Sequence, residues 1–221
     1  MKPAPQQVVG CVLAGGLSRR MGGEEKALLE LGGEPMLSRI IERLRPQAAQ
    51  LIVNANGDPG RYAPFGLPVV ADNISGFAGP LAGVESGMKW AIDNADGATH
   101  MVTAATDTPF FPDNLVASFV DAIAAADDIV MATSHGNRHP VFALWPLSLH
   151  GDLRDWLQQT DTFKVMVWVQ EHSLKLVEFP TVALSGQQID PFFNANTPEE
   201  FAAAEKLVAE SSDENVRRAR P

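Results

Sequence analysis

The sequence predicts an α/β fold of three layers, αβα, on a mostly parallel sheet with helices on both faces. Three observations carry that expectation. Short apolar, β-branched runs alternate with amphipathic stretches over the N-terminal two thirds of the 221 residues, the pattern of successive βαβ units. Hydrophobic residues make up 45% and charged residues 20%, enough to close a sizeable core. No Gly/Ser linker, low-complexity block or internal repeat interrupts residues 7–210, which read as a single domain. The polar segment 211–221, SSDENVRRARP, reads as a disordered tail.

The elements follow in order. Val8–Leu13 (VVGCVL) has strand length and composition. The chain's one cysteine, Cys11, lies inside that run and reads as a buried small hydrophobe. Leu37, Ile40, Ile41 and Leu44 recur at i, i+3, i+4, i+7, and Pro46 ends that helix. Leu51–Asn54 and Val69–Ala71 are the next strands. Leu81, Val84, Met88 and Ile92 repeat the helical spacing, His100–Ala104 is a strand, and Leu115, Phe119 and Ile123 mark a helix after Pro112-Asp113. Ile129–Ala132, Val141–Leu144 and Leu174–Phe179 read as strands, with Asp127 and Asp128 on a solvated edge. Lys164–Glu171 (KVMVWVQE) fits either a buried strand or a buried helix. The last element opens with a capping box, Thr197 at N-cap, Pro198 at N1 and Glu200 at N3, followed by a stripe of Phe201, Ala204 and Val208. Trp90, Trp145, Trp156 and Trp168 sit in apolar patterns and read as core.

Charge narrows the function. Seventeen basic residues face 27 acidic ones, a net −10, which argues against nucleic acid or an anionic membrane as partner. The N-terminal MKPAPQQ lacks a signal-peptide core, no run approaches the ~18 apolar residues of a membrane span, and a cytoplasmic protein is expected. No HxxxH or HExxH spacing suggests zinc.

Ligands of open α/β sheets bind beyond the carboxyl ends of the strands, here the loops after Leu13, Asn54, Ala71 and Ala104. The first of these, LAGGLSRRMGGEEK (Leu13 to Lys26), is rich in glycine. Its consecutive N–H groups can form an anion nest, and Arg19, Arg20 and Lys26 add charge suited to phosphate. Residues 1–26 hold four basic side chains against two acidic ones, a local reversal of the global sign. The loop is neither a Walker A motif nor a GxGxxG. Asp107 ends another strand-like run, where a hard carboxylate suits Mg²⁺ beside phosphates, although Asp before Pro109 also fits an Asx turn.

LAGG, SRRMGG and a lysine, followed by NAN (54–56), VVADN, GPLAG (79–83), TDTPF (106–110), HPVFAL (139–144) and NANTPEE (194–200), resemble the molybdenum cofactor guanylyltransferases. These are members of the GT-A-like nucleotidyltransferase superfamily with a Rossmann-like fold. The resemblance implies transfer of GMP from GTP to the phosphate of Mo-molybdopterin. It also implies Asp107 as the Mg²⁺ ligand, and Arg20 and Lys26 with Asp107 as the catalytic set. The nucleotide would be bound by Leu13, Ala14, Gly15, Gly16, Lys26, Asn54, Asp72, Pro80, Leu81 and Asp107. Gly16 and Pro80-Leu81 favour GTP over the CTP of relatives that carry LAAG. His139, Lys164, Asn194 and Asn196 fall where relatives contact the acceptor, and molybdoenzyme chaperones and other cofactor-biosynthesis proteins are expected partners. Alternatives are a CTP-dependent molybdopterin cytidylyltransferase or related nucleotidyltransferase, and a non-catalytic adaptor that binds GTP or the cofactor. Two positions depart from the family pattern: Glu25 stands where relatives carry Asp, and Ala105 where many carry Cys.

Overall fold

The computed structural model describes residues 2–15, 26–74, 79–184 and 186–218, with 211–218 as backbone alone. Strands β1 (Val8–Leu13), β2 (Glu30–Leu31), β3 (Glu34–Pro35), β4 (Gln50–Asn54), β5 (Val69–Val70) and β6 (His100–Ala105) precede β7 (Ile129–Ser134), β8 (Asn137–Pro146), β9 (Leu174–Glu178), β10 (Val182–Leu184) and β11 (Gln187–Ile189). The helices are α1 (Met36–Leu44), α2 (Pro80–Asn94), α3 (Leu115–Ala122), α4 (His150–Gln159), α5 (Val165–Val169) and α6 (Pro198–Arg218).

Seven strands form the central sheet in the order β5-β4-β1-β6-β8-β7-β9. All neighbours pair in parallel except those of β8, which runs antiparallel to both β6 and β7. Alternation along β1 divides the core as the pleat requires. Val8 and Val12 face α1 and α3, with Leu37, Ile40, Leu115 and Phe119. Val9 and Cys11 face α2, α4 and α5, with Leu81, Met88, Leu153 and Trp168. These are the expected three layers. A smaller cluster of Leu31, Met36, Phe110, Ala195, Ala204 and Val208 seats α6 against the sheet's carboxyl edge. Burial pushes the Cys11 thiol up to about 12, as a core residue requires.

The structure departs from the sequence reading in identifiable ways. The 134–140 stretch is a hairpin: His135 (φ 49°) and Gly136 (φ 75°) turn β7 into β8, so β8 starts earlier than Val141 and His139 lies within it. Lys164–Glu171 resolves as the short helix α5. Ile92 is 49% exposed, and Ala91 takes its place on the buried face of α2. The two-stranded hairpins β2–β3 and β10–β11 are too short to show a period, and α4, whose Leu149, Leu153, Trp156 and Leu157 stand at helical spacing, was passed over. Asp128 is buried rather than solvated. The Ala124 and Ala125 amides and the Ser173 hydroxyl reach its carboxylate at 2.6–2.8 Å. Burial alone would raise its pKa, but these donors outweigh it and hold the group below the ordinary carboxylate value. Helix α6 propagates from its capped start through the good helix formers of AAAEKLVAE (202–210) and reaches Arg218. At that start Glu200 N donates to Thr197 Oγ1 (3.2 Å), and Thr197 N donates to Glu200 Oε2 (3.0 Å).

His100 at the start of β6 is 4% exposed, and its Nε2 is buried with no partner among the described residues. Burial lowers its pKa from 6.5 to about 4. The unfolded chain therefore binds a proton between those values that the fold refuses. The stability this gives is complete above pH 6.5 and is lost as pH falls toward 4. His100→Gln should flatten this acid limb, removing about 3 kcal/mol of the loss. Urea unfolding at pH 7.5 and pH 4.5 measures it; equal pH slopes in both proteins would refute the assignment.

Candidate active site

The parallel strands deliver their carboxyl ends to one edge, and three side-chain groups assemble there. The first lies after β4 and β5. Asn54 Nδ2 donates to Asp72 Oδ1 (2.9 Å) and to the Val70 carbonyl (3.1 Å), and Asn56 Nδ2 donates to Asp72 Oδ2 (2.8 Å). Asp72 N returns a bond to Asn56 Oδ1 (2.9 Å). Ala14 N donates to the Asn54 carbonyl (2.8 Å), so the first residue of the glycine-rich loop is tied to the same frame. Gly15 lies beside it, where a Cβ would sit 3.6 Å from both Asn54 Oδ1 and Asn56 Nδ2. Behind the frame Asn73 N donates to Ser86 Oγ (2.8 Å), and Glu85 on α2 is bonded to His150 (2.9 Å).

Helix α2 approaches this frame through Gly83. A Cβ there would lie 2.3 Å from Asn54 Oδ1 and 2.9 Å from Leu13 Cδ2, so only glycine fits. Gly83→Ala should displace Asn54, cost about 1–3 kcal/mol and raise KM for the nucleotide several-fold. Thermal melting and nucleotide kinetics check both effects, and an unshifted KM would remove Asn54 from the binding frame. The N-cap of α2, Gly79, has φ 63° and ψ −162°, a region essentially reserved for glycine. Pro80 is exposed at N1, whereas the Leu81 side chain is fully buried; any contact from Leu81 to a ligand comes from its backbone.

The second group joins three segments distant in sequence. Lys26 Nζ donates to Asn196 Oδ1 and lies 4.0 Å from Asp107 Oδ2, with side chains 17% and 27% exposed. The Thr108 hydroxyl reaches Asn194 Oδ1 (2.6 Å) and Asp107 Oδ1 (3.2 Å). Ala195 N donates to the Asp107 carbonyl (2.8 Å). A partly exposed carboxylate, a lysine and two amides thus share one surface, which can hold phosphate oxygens and a hard cation. Among the described residues no three His, Cys, Asp or Glu side chains cluster as metal ligands. A divalent ion at Asp107 fits the Mg²⁺ habit of taking one or two carboxylates and completing its shell from phosphates and water.

The third group is His139 with Ser134 and Asp190, described below. Lys164 is the exposed N-cap of α5. Its segment borders α2, where a Gly79 Cβ would meet the Phe163 carbonyl at 3.3 Å. Gly16, Arg19, Arg20 and Glu25 lie outside the described residues. Asn56, Thr108, Ser134 and Asp190 escaped the sequence reading. The repeated N-A-N and the DPFFNAN string (190–196) were the available signals, since each puts polar side chains two residues apart.

Residues 10–174 match the model of the MobA-like NTP transferase domain. A molybdenum cofactor guanylyltransferase of Rhizobium meliloti is 47% identical over 194 residues, covering 88% of each chain. The crystal structure of molybdopterin-guanine dinucleotide biosynthesis protein A from Archaeoglobus fulgidus superposes with a TM-score of 0.70 at 19% identity, over 91% of this chain and 99% of that one. A Mycobacterium tuberculosis protein crystallised with manganese superposes with a TM-score of 0.62 at 17% identity, over 90% and 98%. With its site on the carboxyl edge of this sheet, the chain is a nucleotidyltransferase and belongs to the MobA-like NTP transferase family.

Proposed function

We propose that this chain transfers GMP from GTP to the terminal phosphate of Mo-molybdopterin, forming molybdopterin guanine dinucleotide and pyrophosphate. The observation that carries the reading is the convergence of Lys26, Asp107, Asn194 and Asn196 on one surface beside the Asn54–Asp72 frame. The names of close full-length relatives support guanine as the base. The acceptor phosphate oxygen attacks the α-phosphorus of GTP, and the bond from that phosphorus to the bridging oxygen breaks. Its electron pair leaves with pyrophosphate. An ionised phosphate monoester needs no general base, so the protein contributes positioning and charge.

Lys26 neutralises phosphate oxygens of the nucleotide and of the leaving group, and Arg20 is assigned the same work from the loop before it. Leu13, Ala14, Gly15 and Gly16 contribute backbone groups to the nucleotide, with the Ala14 N–H held by the Asn54 carbonyl and the glycine amides turned to the phosphates, and Asn54 and Asp72 face the nucleoside. Asn194 and Asn196 meet the acceptor. Asp107 would hold Mg²⁺, which supplies Lewis-acid withdrawal of charge from the phosphates. We place the reaction in the cytoplasm, with molybdoenzyme chaperones as recipients; no described helix is long and apolar enough to cross a membrane.

The test offers GTP, CTP and ATP in parallel with Mg²⁺ and Mo-loaded molybdopterin, and follows pyrophosphate. GTP alone should support rapid release that depends on the acceptor. Preference for CTP would overturn the guanylyl assignment, and GTP binding without release would overturn transfer.

A further inference from the structure

The His139 ring stacks on Phe192 with centroids 4.3 Å apart and planes at 22°. Its Nε2 lies 2.7 Å from the hydroxyl of Ser134, which is fully buried. Ser134 Oγ is 2.8 Å from Asp190 Oδ1 and 3.0 Å from Oδ2, and Phe192 N donates to Asp190 Oδ1 (2.9 Å). A hydroxyl has one proton and a carboxylate only accepts. Ser134 therefore gives its proton to Asp190, and its oxygen accepts from His139 Nε2–H. The other ring nitrogen, Nδ1, then carries the lone pair. Among the described residues Nδ1 has no hydrogen-bond partner, and His139 is only partly buried.

The relay also anchors the acceptor strip. Asp190 is its first residue, Phe193 N donates to the Asp190 carbonyl (3.0 Å), and the strip ends at Asn194 and Asn196. His139, on β8 beside the end of β7, opens onto the same carboxyl edge.

We propose that Ser134 and Asp190 are positioning residues that hold His139 as its Nε2–H tautomer, so that Nδ1 accepts a hydrogen bond from an N–H or O–H donor of the second substrate. The inference rests on the guanylyl-transfer reading and deepens it. A lone pair repels an ionised phosphate, so His139 reads the ring system of the acceptor while Lys26 and the amides take its phosphate. Burial lowers the ring's pKa against the opposing pull of Asp190 and Glu178, which keeps the imidazole uncharged near neutrality.

The isosteric Asp190→Asn tests this. The Asn oxygen can stay on Phe192 N while its NH₂ faces Ser134. That reverses the chain of donors: Ser134 then donates to Nε2, and Nδ1 becomes the protonated nitrogen. Long-range ¹H–¹⁵N spectra of histidine-labelled protein should show a pyridine-like Nδ1 in the wild type. The two nitrogens should exchange character in Asp190→Asn, and Ser134→Ala should lose the preference. KM for Mo-loaded molybdopterin should rise about tenfold in Asp190→Asn, one neutral hydrogen bond, with KM for GTP unmoved. A protonated Nδ1 in the wild type at pH 7.5 would overturn the relay, and an inverted tautomer with unchanged acceptor KM would overturn the recognition. A wild type with the expected tautomer but no pyrophosphate release counts against transfer itself and leaves the relay standing.

Discussion

Lys26→Ala is expected to lower kcat/KM for GTP at least tenfold, and about 100-fold if the ammonium meets charge that develops only in the transition state. The position of Lys26 supports the larger figure. Its Nζ is pinned by Asn196, so the charge is fixed before substrate arrives, and little reorganisation remains to be made during reaction. Its neighbour Asp107 is 4.0 Å away, and both side chains reach solvent. Such a pair contributes about 0–1 kcal/mol to the fold. Melting temperature should thus change little while turnover collapses, which separates a catalytic role from a structural one. Lys26→Met removes the charge and the N–H donors but keeps the length of the side chain, and should match the alanine variant. Lys26→Arg should recover part of the activity, since a planar fork replaces a point donor. Wild-type kinetics in Lys26→Ala would refute the role.

The layers were legible because periodicity reports burial directly. The run VVGCVL is a central parallel strand with both faces covered, and Leu37, Ile40, Ile41 and Leu44 are the buried face of α1. The antiparallel β8 was not legible, because its direction is set by a His135-Gly136 turn in a polar string that carries no hydrophobic signal. Asp128 was misread for a related reason: two local amides, the distant Ser173 hydroxyl and the charge of Lys175 offset its desolvation cost, and none is visible in composition. At the candidate site, Asp107 stood out because a carboxylate followed an apolar run, whereas Asn54 and Asp72 were named through the family resemblance. Ser134 and Asp190 were not found, since each acquires meaning only when positions 56 apart in sequence fold together. The same holds for Thr108, whose partner Asn194 is 86 residues away.

Asp107→Asn should lower kcat about 100- to 1,000-fold at saturating Mg²⁺, the equivalent of several kcal/mol of charge stabilisation. The substitution is nearly isosteric. The backbone bond from Ala195 N to the residue 107 carbonyl does not depend on the side chain, and the Thr108 hydroxyl still meets an oxygen at Oδ1. What disappears is one negative charge facing Lys26. A carboxylate placed where phosphates must bind is repulsive unless a cation lies between them, so the charge has opposite effects with and without metal. In EDTA, Asp107→Asn should bind GTP at least as tightly as the wild type. With metal, it should need a higher Mg²⁺ concentration for half-maximal pyrophosphate release and reach a lower plateau. Two titrations, GTP binding in EDTA and turnover against Mg²⁺, therefore distinguish a metal-holding carboxylate from a merely structural one. If Asp107 served only to orient Thr108 and Asn194, the asparagine variant would keep its Mg²⁺ midpoint and most of its turnover, and the assignment would fail.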